Sequence, residues 1–341
     1  MATRILIADS IYPQAVAQAR AATPDFDALA SAVKVERVLR ERFGTWDSLG
    51  HAFRRLGHEA DDWLLGVAGD DARDDTVLLS SAYEVKIVQD VGRRSAEFWH
   101  AVAASCRMLV GIVNHKHPGI PTLAPFSLIA TAFPHQVAEI EGAGITCRYL
   151  PCAFDPRHLE APAPPRDLPV TFCGSLGYGN VWDAGTHTIA RLAETIPGFA
   201  WWGPKVGPLT DGLRRTWRGE AFGRAYLDIL RRSRLVVNRH GGTSFRQATN
   251  MRLYEATGMG ACLLTEASDN LRPEHTELFV PWEECVTYGN PDELVTTVRQ
   301  LLGNPDLAAR IAAAGQARTL KDHTYTRRAD VLAEWIAETS R

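Results

Sequence analysis

Residues 156–169 read Pro-Arg-His-Leu-Glu-Ala-Pro-Ala-Pro-Pro-Arg-Asp-Leu-Pro, five prolines in fourteen positions. Proline has no N–H to donate and its ring fixes φ, so such a stretch fits neither a helix interior nor a central strand. The chain must be interrupted here, and the sequence on both sides is of one kind. Short apolar runs of strand length alternate with stretches of helical spacing, the pattern of a parallel sheet covered by helices on both faces. Read as a linker, the segment separates a first domain over 1–160 from a second over 170–323, each near the ~150 residues of an ordinary domain. A C-terminal helix over 324–341 is expected to pack back on the first domain.

In the first half, Arg4–Asp9 reads as the opening strand. Residues 10–44 carry helical spacing only around Val33, Val38 and Leu39. Leu49, Phe53 and Leu56 share one helix face that Gly57 ends. Strands are expected at Thr76–Ser80, Met108–Val113, Phe126–Thr131 and Thr146–Leu150, with helices over Ala96–Cys106 and Pro134–Gly144. In the second half the expected strands are Val170–Cys173, Phe199–Trp202, Leu235–Asn238 and Ala261–Thr265. Helices are expected over Gly185–Thr195, Ala225–Arg232, Thr249–Thr257, Asp292–Leu302 and Thr324–Glu338, and Asn304-Pro305-Asp306 is a helix start with Asn as its cap.

Composition narrows the function classes. With 45% hydrophobic and 23% charged residues the chain has the balance of a soluble globular protein rather than a disordered one. A formal net charge of -3 supplies no strong field for nucleic acid or an anionic membrane. No apolar run approaches the roughly 18 residues of a spanning helix, and Met-Ala-Thr-Arg-Ile-Leu-Ile-Ala-Asp turns acidic too soon for a signal peptide. The six cysteines form no C-x-x-C pair and read as buried free thiols in a reducing cytoplasm.

The segment richest in chemistry is 235–265. A strand ends at Asn238, an Arg/Gly/Thr-rich loop follows, and a helix is expected near Asn250. The first-turn amides of a helix have no internal partners and its dipole is positive there, so the site suits an anion. Arg239, Arg246 and Arg252 add cations fit for a diphosphate, and the carboxylate of Glu255 can accept from two adjacent hydroxyls, as a ribose offers. Equally, Arg252 and Glu255 can be an ordinary surface pair on a helix. Gly174-Ser175-Leu176-Gly177-Tyr178-Gly179 follows a strand and precedes a helix, so backbone amides there can approach a phosphate or sugar. Trp201 and Trp202 end the next strand, as a stacking platform or as packing. In the first domain, Asn114-His115-Lys116-His117 follows the strand Met108–Val113 and brings His115 to a carboxyl strand end as a base or hydrogen-bond donor to the sugar. His115 and His117 are two imidazoles without a third ligand in view, so no metal is expected.

Asn250-Met-Arg-Leu-Tyr-Glu-Ala-Thr-Gly-Met-Gly-Ala-Cys-Leu-Leu-Thr265 resembles the C-terminal domain of CgeB-like (spore maturation protein type) glycosyltransferases, a branch of the group 1 glycosyltransferases. The resemblance continues through Asn270-Leu271, Glu277-Leu-Phe279, Tyr288, Asp292-Glu-Leu294, Ile311-Ala-Ala-Ala-Gly315 and His323-Thr-Tyr-Thr-Arg327. It implies a GT-B fold, two Rossmann-like βαβ domains facing across a cleft, with a nucleotide diphosphate sugar held mainly by the second. It implies that Glu255 holds the donor ribose. Gly174, Ser175, Gly177, Asn250 and Arg252 are then the other donor-binding residues, and Arg239 and His115 the catalytic ones. Where many relatives have another Glu preceding the ribose carboxylate, with seven residues between the two, this chain has Gln247.

The function expected is transfer of a sugar from a nucleotide diphosphate sugar to an acceptor, retaining and metal-independent, with no cofactor. A GT-B nucleotide-sugar epimerase and a non-catalytic nucleotide-sugar-binding protein are the other readings. The acceptor is open among a polysaccharide, a natural product, a protein and a modified base. No membrane span and no nucleic-acid partner are otherwise expected.

Overall fold

The computed structural model describes residues 2–42, 44–67, 71–177, 183–240, 246–272, 274–275 and 277–339. The chain divides into two compact units, Met1–Pro151 with Tyr325–Arg341, and Cys152–Thr324.

The first unit is built on six parallel strands: β1 (Arg4–Ser10), β2 (Glu59–Leu65), β3 (Val85–Val88), β4 (Met108–Val113), β5 (Leu128–Thr131) and β6 (Cys147–Tyr149), in the order β2-β1-β3-β4-β5-β6. Helices α1 (Pro13–Ala22), α2 (Ser31–Leu39), α3 (Ser48–Arg55), α4 (Asp71–Leu79), α5 (Ala96–Ala104), α6 (Ile120–Leu123) and α7 (Pro134–Gly142) connect them. Side chains alternate across a strand. Ile5 and Ile7 therefore join Phe53 in the core on one face of the sheet, while Leu6 and Ala8 join Trp99 and Ile129 in the core on the other.

The second unit has a five-stranded parallel sheet of β7 (Leu168–Cys173), β9 (Phe199–Trp202), β11 (Ser233–Val237), β12 (Cys262–Glu266) and β13 (Val286–Tyr288), ordered β13-β12-β11-β7-β9. A two-residue ladder joins β8 (Leu176–Gly177) to β10 (Lys205–Val206). The helices are α8 (Asp183–Thr195), α9 (Asp211–Thr216), α10 (Gly223–Arg232), α11 (Arg252–Gly258), α12 (Pro291–Gly303) and α13 (Pro305–Asp322). Asn304 caps α13 by accepting from the Leu307 amide at 3.1 Å. The last helix, α14 (Tyr325–Thr339), returns to the first unit. It buries Ala329, Leu332 and Ile336 in the Phe53 core, and the Arg148 guanidinium meets its Glu338 at 2.7 Å.

Several expectations are corrected. Thr76–Ser80 is not a strand, because its apolar run is the last turn of α4, with Leu78 buried. The strands on either side of it, β2 and β3, carry acids and Lys86 among their apolar residues and so lack a clean apolar signature. Lys86 is fully buried, donating to the Leu78 carbonyl at 2.7 Å and to Ser105. Leu176–Gly177 is a short strand rather than part of a turn. The proline-rich stretch lies inside the second unit, where Pro156–Leu159 is a 3-10 turn and Leu168-Pro169 opens β7, the start of a strand being a place where proline is tolerated.

Candidate functional site

In the second unit the first strand, β7, lies between β9 on one side and β11 on the other, so the strand order reverses between β7 and β11. Ligands of open parallel sheets bind beyond the carboxyl ends of the strands at this reversal. Gly174 follows β7, Asn238 follows β11, and α11 runs close to both. The Gly174 amide donates to the Trp202 carbonyl at 2.8 Å. Gly203 sits so close to the Gly174 backbone that a Cβ there would overlap it, and its φ of +150° suits glycine.

The Asn238 and Asn250 side chains bond reciprocally at 2.9 and 3.1 Å, and Asn250 Nδ2 also donates to the Arg239 carbonyl at 3.0 Å. Asn250 therefore ties the loop to the end of β11. The helix expected at Thr249 begins only at Arg252. Its first amides are occupied, those of Tyr254 and Glu255 by the Met251 carbonyl at 2.9 and 3.0 Å, that of Leu253 by Asn250 at 3.3 Å. The preceding turn thus supplies acceptors for three of the early amides, the helix starting later than the sequence suggests.

At the reversal stands a set of half-buried charged and polar side chains. Arg252 Nη1 donates to Asn238 Oδ1 at 3.3 Å, and its guanidinium lies 5.7 Å from the Phe172 ring centroid. Burial works against its charge, but Tyr226, Cys173 and Glu255 outweigh this and raise its pKa. Burial raises the pKa of Glu255, while a hydrogen bond from Tyr226 and the charge of Arg252 oppose the rise. Tyr226 Oη donates to Glu255 Oε2 at 2.6 Å, and burial pushes the phenol well above its ordinary range, so it stays a donor. One carboxylate oxygen is thus fixed from α10 while the other keeps its acceptor capacity.

Arg239 is 7% exposed, and its guanidinium lies against Gly185 in the first turn of α8, where any Cβ would overlap it. Burial lowers its pKa, while Glu266 and Tyr288 oppose the drop. Glu266, itself raised by burial, accepts from the His240 amide at 2.6 Å. His240 is lowered to about 4 by burial and is neutral near pH 7; its Nε2 meets Thr265 Oγ1 at 3.1 Å. A guanidinium beside the positive end of a thirteen-residue helix is electrostatically costly, and a bound anion relieves that cost.

The structure therefore brings Gly174, Asn250, Arg252 and Glu255 together, with Arg239 joined to them through the Asn250 hydrogen bond to its carbonyl. Other candidates stand apart. The Gly177 amide is taken by the Thr186 hydroxyl at 2.9 Å, so it is not open to a ligand; Ser175 is half-buried between Gly174 and β8. Arg246 is exposed and pairs with Asp269 at 3.4 Å. Trp201 is core, its indole N–H donating to the Leu213 carbonyl at 2.9 Å. Tyr178, Gly179 and the loop residues 241–245 lie outside the described residues. In the first unit His115 is exposed at the end of β4, its Nδ1 2.7 Å from the Lys116 carbonyl. His117 lies 3.0 Å from Glu139 and accepts from the Gly119 amide. Among the described residues no group of three or more His, Cys, Asp and Glu side chains is placed to hold a metal ion. His323 is structural, packed on the Tyr254 and Phe279 rings with Nε2 2.7 Å from the Leu278 carbonyl. Tyr226 and Glu266 carry no sequence signal of their own, and only the helical spacing of Tyr226, Leu227 and Leu230 marks an inward face of α10.

Residues 185–334 match a family described as glycosyl transferase-like. No curated protein matches the chain. Among solved structures it is similar to sucrose-phosphate synthase from Thermosynechococcus elongatus (11% identity, 98% of each chain covered, TM-score 0.59). Anabaena HepE in complex with UDP and glucose is similar over 98% of this chain and 100% of that one, at 14% identity and a TM-score of 0.58. AviGT4, a glycosyltransferase involved in avilamycin A biosynthesis, matches at 16% identity and a TM-score of 0.60, with 98% of each chain covered. These likenesses show the GT-B fold, two Rossmann-like α/β units; the glycosyl transferase-like match begins in α8 and ends within α14.

Proposed function

We propose that this chain is a glycosyltransferase that moves a sugar from a nucleoside diphosphate sugar to a hydroxyl acceptor, with retention and without a metal, as a cytoplasmic member of the CgeB-like branch. The observation that carries the reading is the Tyr226–Glu255–Arg252–Asn238 group at the strand reversal of the second unit. Glu255, held on one oxygen by Tyr226, accepts from the ribose hydroxyls. Arg252 and Arg239 balance the diphosphate, and Gly174, with no side chain, makes room for the Phe172 ring beside Arg252. The charge that builds on the diphosphate as the sugar–phosphate bond breaks is met by these preplaced groups, which cost no reorganisation at that moment. His115 is the first-unit residue proposed to bond the sugar. UDP in the Anabaena HepE complex makes a uridine nucleotide the first donor to try. All six cysteines are free, which supports a reducing compartment. No described helix is long and apolar enough to cross a membrane.

Calorimetry with UDP tests the reading on the wild type, Glu255→Ala and Tyr226→Phe. A charge-assisted hydrogen bond contributes roughly 1.5–3 kcal/mol, so Glu255→Ala should weaken UDP by at least about tenfold. Tyr226→Phe should cost less, since the carboxylate remains. Equal affinity in all three proteins removes Glu255 from the site. Turnover of UDP-glucose followed by NMR then reports the anomer of the product and separates transfer from epimerisation.

A further inference from the structure

The first unit repeats the strand reversal, and its contents differ. With the order β2-β1-β3, the chain turns back between β1 and β3. Asp9 is the penultimate residue of β1 and Gln89 follows β3, brought side by side because Ala8 pairs with Val88. Thr45 Oγ1 donates to Asp9 Oδ2 at 2.6 Å, and Gln89 Nε2 donates to the same oxygen at 3.1 Å and to Thr45 at 3.2 Å. The segment that delivers Thr45 has positive φ at Arg42, Gly44 and Trp46, two of them residues that rarely adopt it. Three residues beyond Asp9, between β1 and α1, Tyr12 is 64% exposed, more than any other large apolar or aromatic side chain described.

We propose that Asp9, Thr45 and Gln89, with Tyr12 from between β1 and α1, bind the hydroxyl groups of an uncharged glycoside, the acceptor of the transfer. The word acceptor rests on the glycosyltransferase reading; the site does not. A carboxylate offers about four lone-pair positions, and Thr45 and Gln89 both bond Oδ2, so Asp9 has acceptor capacity for a ligand hydroxyl. Gln89 and Thr45 each add polar capacity to a neighbouring hydroxyl, and an exposed aromatic face suits the C–H side of a sugar ring. Desolvation raises the Asp9 carboxyl to about 6, and the other charge acting on it is a second carboxylate, Asp90. Two carboxylates disfavour a phosphorylated or carboxylated ligand, which selects a neutral ring.

The test is saturation-transfer NMR on the full chain with methyl α-glucoside, maltose and glucuronate as probes, in the wild type, Asp9→Asn and Thr45→Val. We expect signal from at least one neutral glycoside, a loss of at least fivefold in both variants, and none from glucuronate. UDP affinity measured alongside should stay within twofold. No neutral-glycoside signal in the wild type, the same signal in both variants, or a preference for glucuronate overturns the site. Loss of UDP affinity in a variant assigns these residues elsewhere and also overturns it. If the wild type itself fails to bind UDP while the glycoside signal behaves as stated, the donor reading fails and this site stands.

Discussion

Replacing Asp9 by Asn should stabilise the protein, and by an amount that depends on pH. The Asp9 carboxyl sits at about 6 instead of 3.8, raised by desolvation and by Asp90 against bonds from Thr45 and Ser10. The folded state therefore binds this proton more tightly than the unfolded state does. A raised acid contributes its full stability below the unfolded value and loses it as pH climbs through the folded value. Each tenfold change in proton affinity is worth about 1.4 kcal/mol, so the ionised carboxylate costs the fold about 3 kcal/mol at pH 8 and only ~0.5 kcal/mol at pH 4. Asn keeps an oxygen for Thr45 and removes the charge. Carboxylates remote from Asp9 titrate in both proteins and cancel in the difference. Scanning calorimetry of both proteins at pH 4 and pH 8 measures it. The variant should melt roughly 6–12 °C above the wild type at pH 8, for a unit of this size, and within about 2 °C of it at pH 4. A wild type that is the more stable protein at pH 8, or a gap that does not change with pH, refutes the account of Asp9 as a desolvated acid.

Two further outcomes follow from the charges of the second unit. Arg239→Met keeps bulk against Gly185 and removes the cation, so kcat for a UDP-sugar should fall by about 10²–10³ with a smaller rise in donor KM; near-normal kcat in a stable variant would make Arg239 a packing residue. Treatment with EDTA should leave UDP affinity and turnover within twofold, because arginines supply the counter-charge. Loss on chelation that a divalent cation restores would reassign that role.

Much of the fold was legible because the signals were local. β4 is six consecutive buried apolar residues, and a continuous apolar run of that length reads as a central parallel strand. Asn304-Pro305 announces α13 through a cap whose partner lies three residues away. The misses share the opposite property. β3 is four residues long and holds a lysine whose burial is made tolerable by Leu78 and Ser105, eight and nineteen residues distant. β13 is three residues, Val-Thr-Tyr, and gains its identity only from pairing with Leu264–Glu266 of β12. Thr76-Val-Leu-Leu carries the composition of a strand, yet it continues a helix begun by Asp71. Periodicity over four residues does not separate the two.

The proposed donor site has a sequence signal where the family resemblance points to Glu255, and none where its neighbours depend on strand order. Glu255 stands out in its segment, but Tyr226, which fixes one of its oxygens, comes from 29 residues upstream on another helix. Asp9 reads in the sequence only as the end of a strand. Its partners Thr45 and Gln89 lie 36 and 80 residues away, and they meet it because β1 takes β2 on one side and β3 on the other. Local hydrophobic pattern specifies that a strand exists; it does not say which strand becomes its neighbour. The reversal of order is the property that leaves strand ends uncovered for a ligand, so the residues most concerned with binding are those whose neighbours sequence periodicity predicts least. Both reversals in this chain hold a carboxylate raised by burial, Asp9 in the first unit and Glu255 in the second. Desolvating an acid in each of two separate sheets works against stability, and the binding roles proposed for Asp9 and Glu255 would give that cost a reason. The pH-dependent gain of Asp9→Asn measures it directly in the first unit, where no motif in the sequence pointed.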